Sequence, residues 1–444
     1  MFVTVRTFLR LLGSIYFFAF VSLGTQSPGL IGSHGILPYA GFLSAAREAL
    51  GARAYARVPT ILWLHPSDGA LAAWWIAGAA LALAVVFGFR QRIVLAGCLV
   101  LWISLCSVGQ DFLSFQWDIL LSEAGFLAIF ADTSRVRIWL FRWLLFRLMI
   151  FSGAVKLLSG DPAWRNLTAL HYHYETQPLP TPLAWYMYQL PLGFQKFSTA
   201  MVFFVELLVP LWFFLPRRMR HLGGWITIGL QVLILLTGNY TFFNLLTIFL
   251  AMFLFIEPAP APKSHRWVTI ALASFVGVTS GMICLQLVDF PLPPGGAQLL
   301  EIVSPFRIVS SYGLFAVMTT ERNEIVVEGS NDGVDWRAYE FPYKPGDLRR
   351  APPIVEPFQP RLDWQMWFAA LGSLQQNRWF ENFVVRLFQG EPAVLRLMRY
   401  NPFPNAPPKY LRARLYLYHF THFGDRDWWT REERGEYLPV VSLR

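Results

Sequence analysis

Over its first two thirds the chain alternates long apolar runs with short polar connections, and after about Phe290 the pattern shortens to strand-like alternation with more charge and proline. A helix crossing a hydrocarbon core of about 30 Å needs roughly 20 mainly apolar residues. The runs predict spans near Phe8–Leu23, Ala70–Phe87, Ile93–Val108, Phe112–Ala131, Ile138–Leu158, Phe197–Leu215, Leu222–Thr237, Phe242–Ile256 and Trp267–Val288. The expected fold class is a polytopic α-helical membrane bundle of about nine transmembrane helices over residues 1–289. A soluble C-terminal α+β domain with a β-sandwich-like sheet follows over residues 290–444. Arg6 and Arg10 precede the first run as in a secretory signal, yet "VSLGTQSPG" offers no small-residue cleavage site, so this run is read as an anchor.

In the C-terminal part, "YGLFAVMT", "NEIVVEGS", "DWRAYEFPY" and "YLRARLYLYHF" predict strands, while "RLDWQMWFAALGSLQQ" and "RWFENFVVRLF" predict helices. Asn331-Asp332-Gly333 is a turn signal, because glycine adopts positive φ without steric cost. "GSNDGVDW" resembles the turn of discoidin-like, galactose-binding β-sandwiches over one hairpin. No internal repeat of the kind a transporter would show is present.

Of the 444 residues 55% are hydrophobic and 15% charged, more apolar than one soluble core buries. The net charge of +9 sits largely in short loops, which argues for a membrane protein that uses positive charge for orientation and against a nucleic-acid partner. Arg6/Arg10, Arg90/Arg92, Arg135/Arg137, Arg217/Arg218/Arg220 and Lys263/Arg266 fall in alternate connections, on one side if every span crosses. That side is the cytoplasmic one, so the N-terminus is expected in the cytoplasm and the C-terminal domain in the lumen or periplasm. Cys98, Cys106 and Cys284 all lie in apolar runs with no Cys-x-x-Cys, which excludes ordinary dithiol exchange. Phosphate loops, dinucleotide fingerprints, Gly-x-Ser-x-Gly and His-Glu-x-x-His are absent, and no cofactor or metal is expected.

Asp118, Glu123, Arg147, Lys156 and Glu206 fall at or near membrane depth, where each unpaired charge costs roughly 2.5–3.5 kcal/mol on insertion scales. They belong inside the bundle, either lining a polar cavity or forming structural ion pairs such as Arg147 with Asp118 or Glu123. Between two runs lies "NLTALHYHYETQPLPTPLAWYMYQLP", Asn166 to Pro191. His171, His173 and Glu175 alternate there, which places all three on one side of an extended chain and makes them candidates for catalysis or metal ligation beside Lys156. The prolines instead favour a stiff, outward-facing cover. Its Trp185, Tyr186 and Tyr188, together with Trp336, Trp364 and Trp367, are candidate contacts for a client protein.

Two resemblances add to this reading. "SGAVKLLSG" around Lys156 is locally similar to the Gly-x-x-Lys-Leu segment of the vitamin K-dependent carboxylase superfamily, which implies a membrane enzyme with Lys156 as base. "LIGSHGILP", "FQWDILLSEAGFLAIF", "YHYETQPLPTPLAWY", "EGSNDGVDW", "YKPGD" and "FQPRLDWQMWFAAL" resemble the lipase maturation factor family, in order, through most of the chain. That resemblance implies a multi-pass membrane protein, in eukaryotes of the endoplasmic reticulum, acting as a maturation factor or chaperone for secreted clients, lipases by family. It implies no catalytic residue. The ending "VVSLR" lacks a Lys-Asp-Glu-Leu-type signal, and arginines far outnumber lysines, which points to a bacterial member in an inner membrane.

Overall fold

The computed structural model describes residues 4–259 and 266–443, so Lys263 lies outside the described residues. Helices occupy all nine expected positions. Seven are long and apolar enough to cross a membrane: α1 (Val5–Leu30), α3 (Asp68–Val86), α4 (Gln91–Val108), α6 (Arg135–Leu158), Leu192–Phe214, α10 (Arg217–Thr237) and α12 (Arg266–Leu287). The other two are shorter, α5 (Gln116–Ile129) and the stretch Phe243–Leu254, which begins with α11 (Phe243–Ala251). An amphipathic helix, α2 (Tyr39–Leu50), lies in the first connection. The chain is a multi-pass membrane protein.

Side-chain caps start α1 and α3: Thr4 accepts from the Thr7 N–H and Ser67 from the Ala70 N–H. The two helices pack closely because glycines meet aromatics, and a methyl group on Gly24 or Gly78 would overlap Trp75 or Phe20 respectively. At the end of the bundle where α1 begins, arginines cap helix C-termini. Arg92 reaches the Ala131 carbonyl at 2.8 Å, Arg137 the Phe130 carbonyl at 2.9 Å and Arg220 the Leu254 carbonyl at 2.8 Å. Arg142 spans the Phe253 and Ile256 carbonyls, each at 3.0 Å.

The C-terminal region covers the opposite end. Its antiparallel sheet has the order β2-β1-β3-β4, from β1 (Arg322–Ser330), β2 (Arg337–Ala338), β3 (Tyr410–Phe420) and β4 (Trp429–Val441). Val326 pairs with Arg414 across β1 and β3, while the β3–β4 ladder carries register shifts. Helix α13 (Arg361–Ala370) packs on the bundle. Helix α14 (Arg378–Phe388) buries one face, Trp379, Phe380, Phe383, Val384, Leu387 and Phe388, at helical spacing. One apolar core runs from Phe8 in the bundle through Phe112 and Leu362 to Leu438 in β4.

Three local expectations change. Tyr312–Thr319 forms no strand, and Tyr312 instead reaches Glu123 inside the bundle. The strand expected over Asp335–Tyr343 shrinks to Arg337–Ala338. Among the described residues there is one four-stranded sheet backed by helices, without a second sheet facing it.

Candidate functional site

Every charge singled out at membrane depth has a partner. Asp118 receives two parallel bonds of 2.9 Å from Arg361 at the start of α13. Arg361 also donates to the Phe112 carbonyl at 2.6 Å. Glu123 pairs with Arg147, accepts the Tyr312 hydroxyl at 2.7 Å and the Ser310 N–H at 3.0 Å, and Arg147 returns a bond to the Ser310 carbonyl at 2.9 Å. Of the two carboxylates that sequence offered to Arg147, Glu123 is the partner, and Asp118 is claimed from 243 residues away. Both pairs are fully buried. The apolar surroundings are tolerable because every carboxylate oxygen is bonded and each guanidinium donates to both a carboxylate and a backbone carbonyl, leaving the Nε–H of Arg147 and of Arg361 without a partner.

Lys156 meets Glu206 at 2.7 and 2.9 Å and gives its third proton to the Ser152 carbonyl at 3.0 Å. Local sequence explains how Glu206 gets there. Pro210 has no N–H to donate to the carbonyl of residue 206, four back, so regular α geometry is lost. Helix α9 (Leu192–Phe203) accordingly widens into a π turn over Phe204–Leu208 and tightens into a 3-10 segment, Val209–Phe214. Glu206 sits inside the π turn.

Asn166 to Pro191 is not extended. It folds into α7 (Ala169–Thr176) and α8 (Pro182–Tyr188), and a helix turns residues two apart to different sides. His173 therefore turns away from His171 and Glu175, which stay on one face at i and i+4, so the expectation of a face shared by all three is corrected. His171 stacks on Tyr188 with ring centroids 6.0 Å apart. Half-buried His173 points inward and its Nε2 lies 3.2 Å from the Tyr240 hydroxyl. Burial, aided by the Lys156 charge, pushes its pKa down to about 4, so it is neutral at pH 7. Glu175 faces the sheet and accepts the Phe420 N–H at 2.6 Å, with His419 Nδ1 at 3.4 Å. Burial raises its pKa, opposed by that N–H and by His419. Arg322 of β1 then satisfies the end of α7, donating to the Glu175 carbonyl at 2.6 Å, to the Gln177 carbonyl, and to the Pro178 carbonyl at 2.9 Å. The segment is clamped between bundle and sheet. Among the described residues no group of three or more His, Cys, Asp or Glu side chains is placed to hold a metal.

The aromatic candidates divide in the same way. Trp364 is buried against Trp117 and Tyr240, Trp367 is buried and donates to the Thr176 carbonyl at 2.8 Å, and Trp185 is buried near Trp428 and 3.2 Å from the Thr421 hydroxyl. These three are core contacts rather than open surface. Tyr188 is half-buried beside Phe420, and Trp336 is half-buried under the Arg412 guanidinium, 4.0 Å from its ring centre. Tyr186 alone of the six is exposed, next to exposed Phe423.

Between α6, α7, α9 and α10 lies a cavity of about 550 Å3 with apolar walls, among them Met149, Trp164, Leu230 and Phe315. Its polar lining includes Lys156, Glu206, His173, Tyr240, Gln231 and Asn244, with Ser152, Ser198, Thr237 and Thr247. Thus Lys156 and His173 share a chamber that Glu175 does not reach. Sequence reasoning passed over Arg361, Arg322, Tyr240, Gln231 and Asn244. An arginine opening the aromatic-rich "RLDWQMWFAAL" was the one available signal, since a buried guanidinium needs an anion.

A model described as the lipase maturation factor transmembrane domain matches residues 3–259, and one described as the lipase maturation factor C-terminal domain matches residues 308–439. The chain belongs to the lipase maturation factor family. Lipase maturation factor 2 of Gallus gallus is 37% identical, over 98% of this chain and 81% of its own length. The Homo sapiens lipase maturation factor 2 is 35% identical over 99% and 82%, and Mus musculus lipase maturation factor 1 is 34% identical over 98% and 86%. No solved structure matches the chain. Family likeness thus covers both the bundle, with the Arg147–Glu123 and Lys156–Glu206 pairs, and the region that caps it, whose Arg361 holds Asp118.

Proposed function

We propose that this chain acts as a membrane-embedded maturation factor that assists folding and assembly of secreted lipases. The observation that carries the reading is likeness to proteins named lipase maturation factor over nearly the whole chain, transmembrane and C-terminal parts together. The chemistry of the interior agrees with it. The charges at membrane depth serve as partners for one another and for the C-terminal region, which suits a scaffold that presents a surface. The arginine-rich end is the cytoplasmic one, so the capping region faces the lumen of the endoplasmic reticulum in a eukaryotic cell, or the periplasm in a bacterium. Tyr186 and Phe423, exposed side by side there, are the aromatic pair we assign to client contact.

The carboxylase-like alternative needs Lys156 beside a lipid-accessible cavity, and Lys156 lines one. A base also needs a free lone pair, whereas this amine holds Glu206 with two protons and Ser152 with the third. The relatives above carry no carboxylase name, and the maturation reading is the one retained.

The test is expression of the chain in cells lacking their own lipase maturation factors, measuring secreted lipase activity per mass of secreted lipase. A rise in specific activity is expected. No rise, with the chain abundant and folded in its membrane, overturns the proposal. Replacing Tyr186 and Phe423 with alanine is expected to lower recovery of lipase with the chain while leaving its abundance unchanged.

A further inference from the structure

We propose that the cavity between α6, α7, α9 and α10 binds a single-chain lipid whose head is uncharged and carries a free hydroxyl, such as a monoacylglycerol. This goes beyond the client reading and does not depend on it. The volume of about 550 Å3 falls within the roughly 300–1,000 Å3 of small-molecule pockets. Its rim includes Leu183, Phe194, Phe197, Met201 and Leu233, which are exposed, Phe197 by 60% and Leu233 by 61%. Four of these belong to α10 and to the stretch Leu192–Phe214 that α9 opens, both long enough to span a membrane, so the opening faces acyl chains rather than water.

The polar lining decides the head group. Lys156 and Glu206 neutralise each other, and all three ammonium protons are already donated, so this pair offers an anion neither net charge nor a free donor. The buried lining atoms that remain without a partner are both acceptors. The Tyr240 hydroxyl donates to Gln177 Oε1 at 3.0 Å, so it receives the His173 Nε2–H, which leaves Nδ1 as a bare acceptor with no partner. Asn244, 1% exposed, donates Nδ2 to Gln231 Oε1 at 2.9 Å, and its Oδ1 also lacks a partner. Buried acceptors without donors cost free energy until a donor arrives. A carboxylate brings none and meets the negative ends of Glu206, Asn244 and His173. A quaternary ammonium brings none either. A hydroxyl supplies the missing proton while its acyl chain lies against Leu230, Met149 and Phe197.

The experiment is native mass spectrometry of the full chain in detergent with four probes: 1-monooleoylglycerol, methyl oleate, oleate and oleoylcholine. Monooleoylglycerol is expected to bind about tenfold tighter than methyl oleate, the worth of one buried hydrogen bond, and oleate and oleoylcholine weaker still. Asn244→Leu should bring monooleoylglycerol down to the level of methyl oleate. Leu230→Trp, which fills the chamber, or Met201→Trp at the rim should weaken both neutral lipids, and a photoreactive monoacylglycerol should label α9 and α10 in the parent chain. The proposal is overturned if oleate binds as well as monooleoylglycerol, if methyl oleate equals it, if labelling maps elsewhere, or if a filling variant with an unchanged unfolding midpoint binds as before. A chamber that takes up only water overturns it equally.

Discussion

Asp118 of α5 and Arg361 of α13 face each other through two bonds of 2.9 Å, and neither side chain touches solvent. The pair locks the C-terminal region onto the bundle at a place where a lone charge is not sustainable. Arg361→Met should cost about 3–5 kcal/mol, because it strands a buried carboxylate, while the double change Asp118→Asn with Arg361→Met should recover much of the loss. A double-mutant cycle on unfolding midpoints in detergent checks this, and additive single effects would count against the lock.

Arg322 joins three carbonyls at the end of α7 to Glu324 at 2.9 Å and lies over the Trp429 ring. Arg322→Lys keeps the charge but not the planar fork. The expected outcome is faster proteolytic cutting between residues 159 and 191 at unchanged expression, read by limited proteolysis. Equal cutting rates would show that the fork is dispensable.

Glu356 accepts the Tyr240 N–H in an otherwise apolar setting, and burial pushes its pKa up to about 8 despite that bond. A carboxyl whose folded pKa is raised binds its proton more tightly when folded. Its stabilising contribution is complete below the ordinary value of 4.5 and is lost as pH rises through about 8. Asp363 does the same lower down, from 3.8 to about 6. Between pH 6 and 8.5 the parent chain should therefore lose thermal stability, and Glu356→Gln should flatten that loss. An identical slope in both proteins would remove Glu356 from the explanation.

The helical spans were legible because each is a long apolar run, and even α5 and α11 announced their positions. Their shortness was not legible, since Phe112–Leu113 are apolar yet wind as a 3-10 turn with Gln110 and Asp111 ahead of α5. The alternating spacing of the histidine segment suggests an extended chain, whereas the segment is helical. "ALHYHYET" holds no helix breaker, and the chain leaves the helix only at Gln177, which Pro178 holds extended. Strand β4 escaped notice because "WTREERGEY" is charged and exposed along most of its length. A charge at membrane depth needs a partner, and Asp118, Glu123, Arg147, Lys156 and Glu206 each have one. That Asp118 pairs with a residue 243 positions away, while Arg147 takes the nearer Glu123, is a consequence of tertiary packing that no local spacing encodes.

Orientation carries the functional account, since the capping region has to stand where secreted clients fold. The direct measurement is protease protection of tags at the two ends of the chain, in sealed membrane vesicles of cytoplasm-out orientation. The account predicts that the N-terminal tag is removed from intact vesicles while the C-terminal tag survives until detergent is added. A C-terminal tag cut from intact vesicles would contradict it.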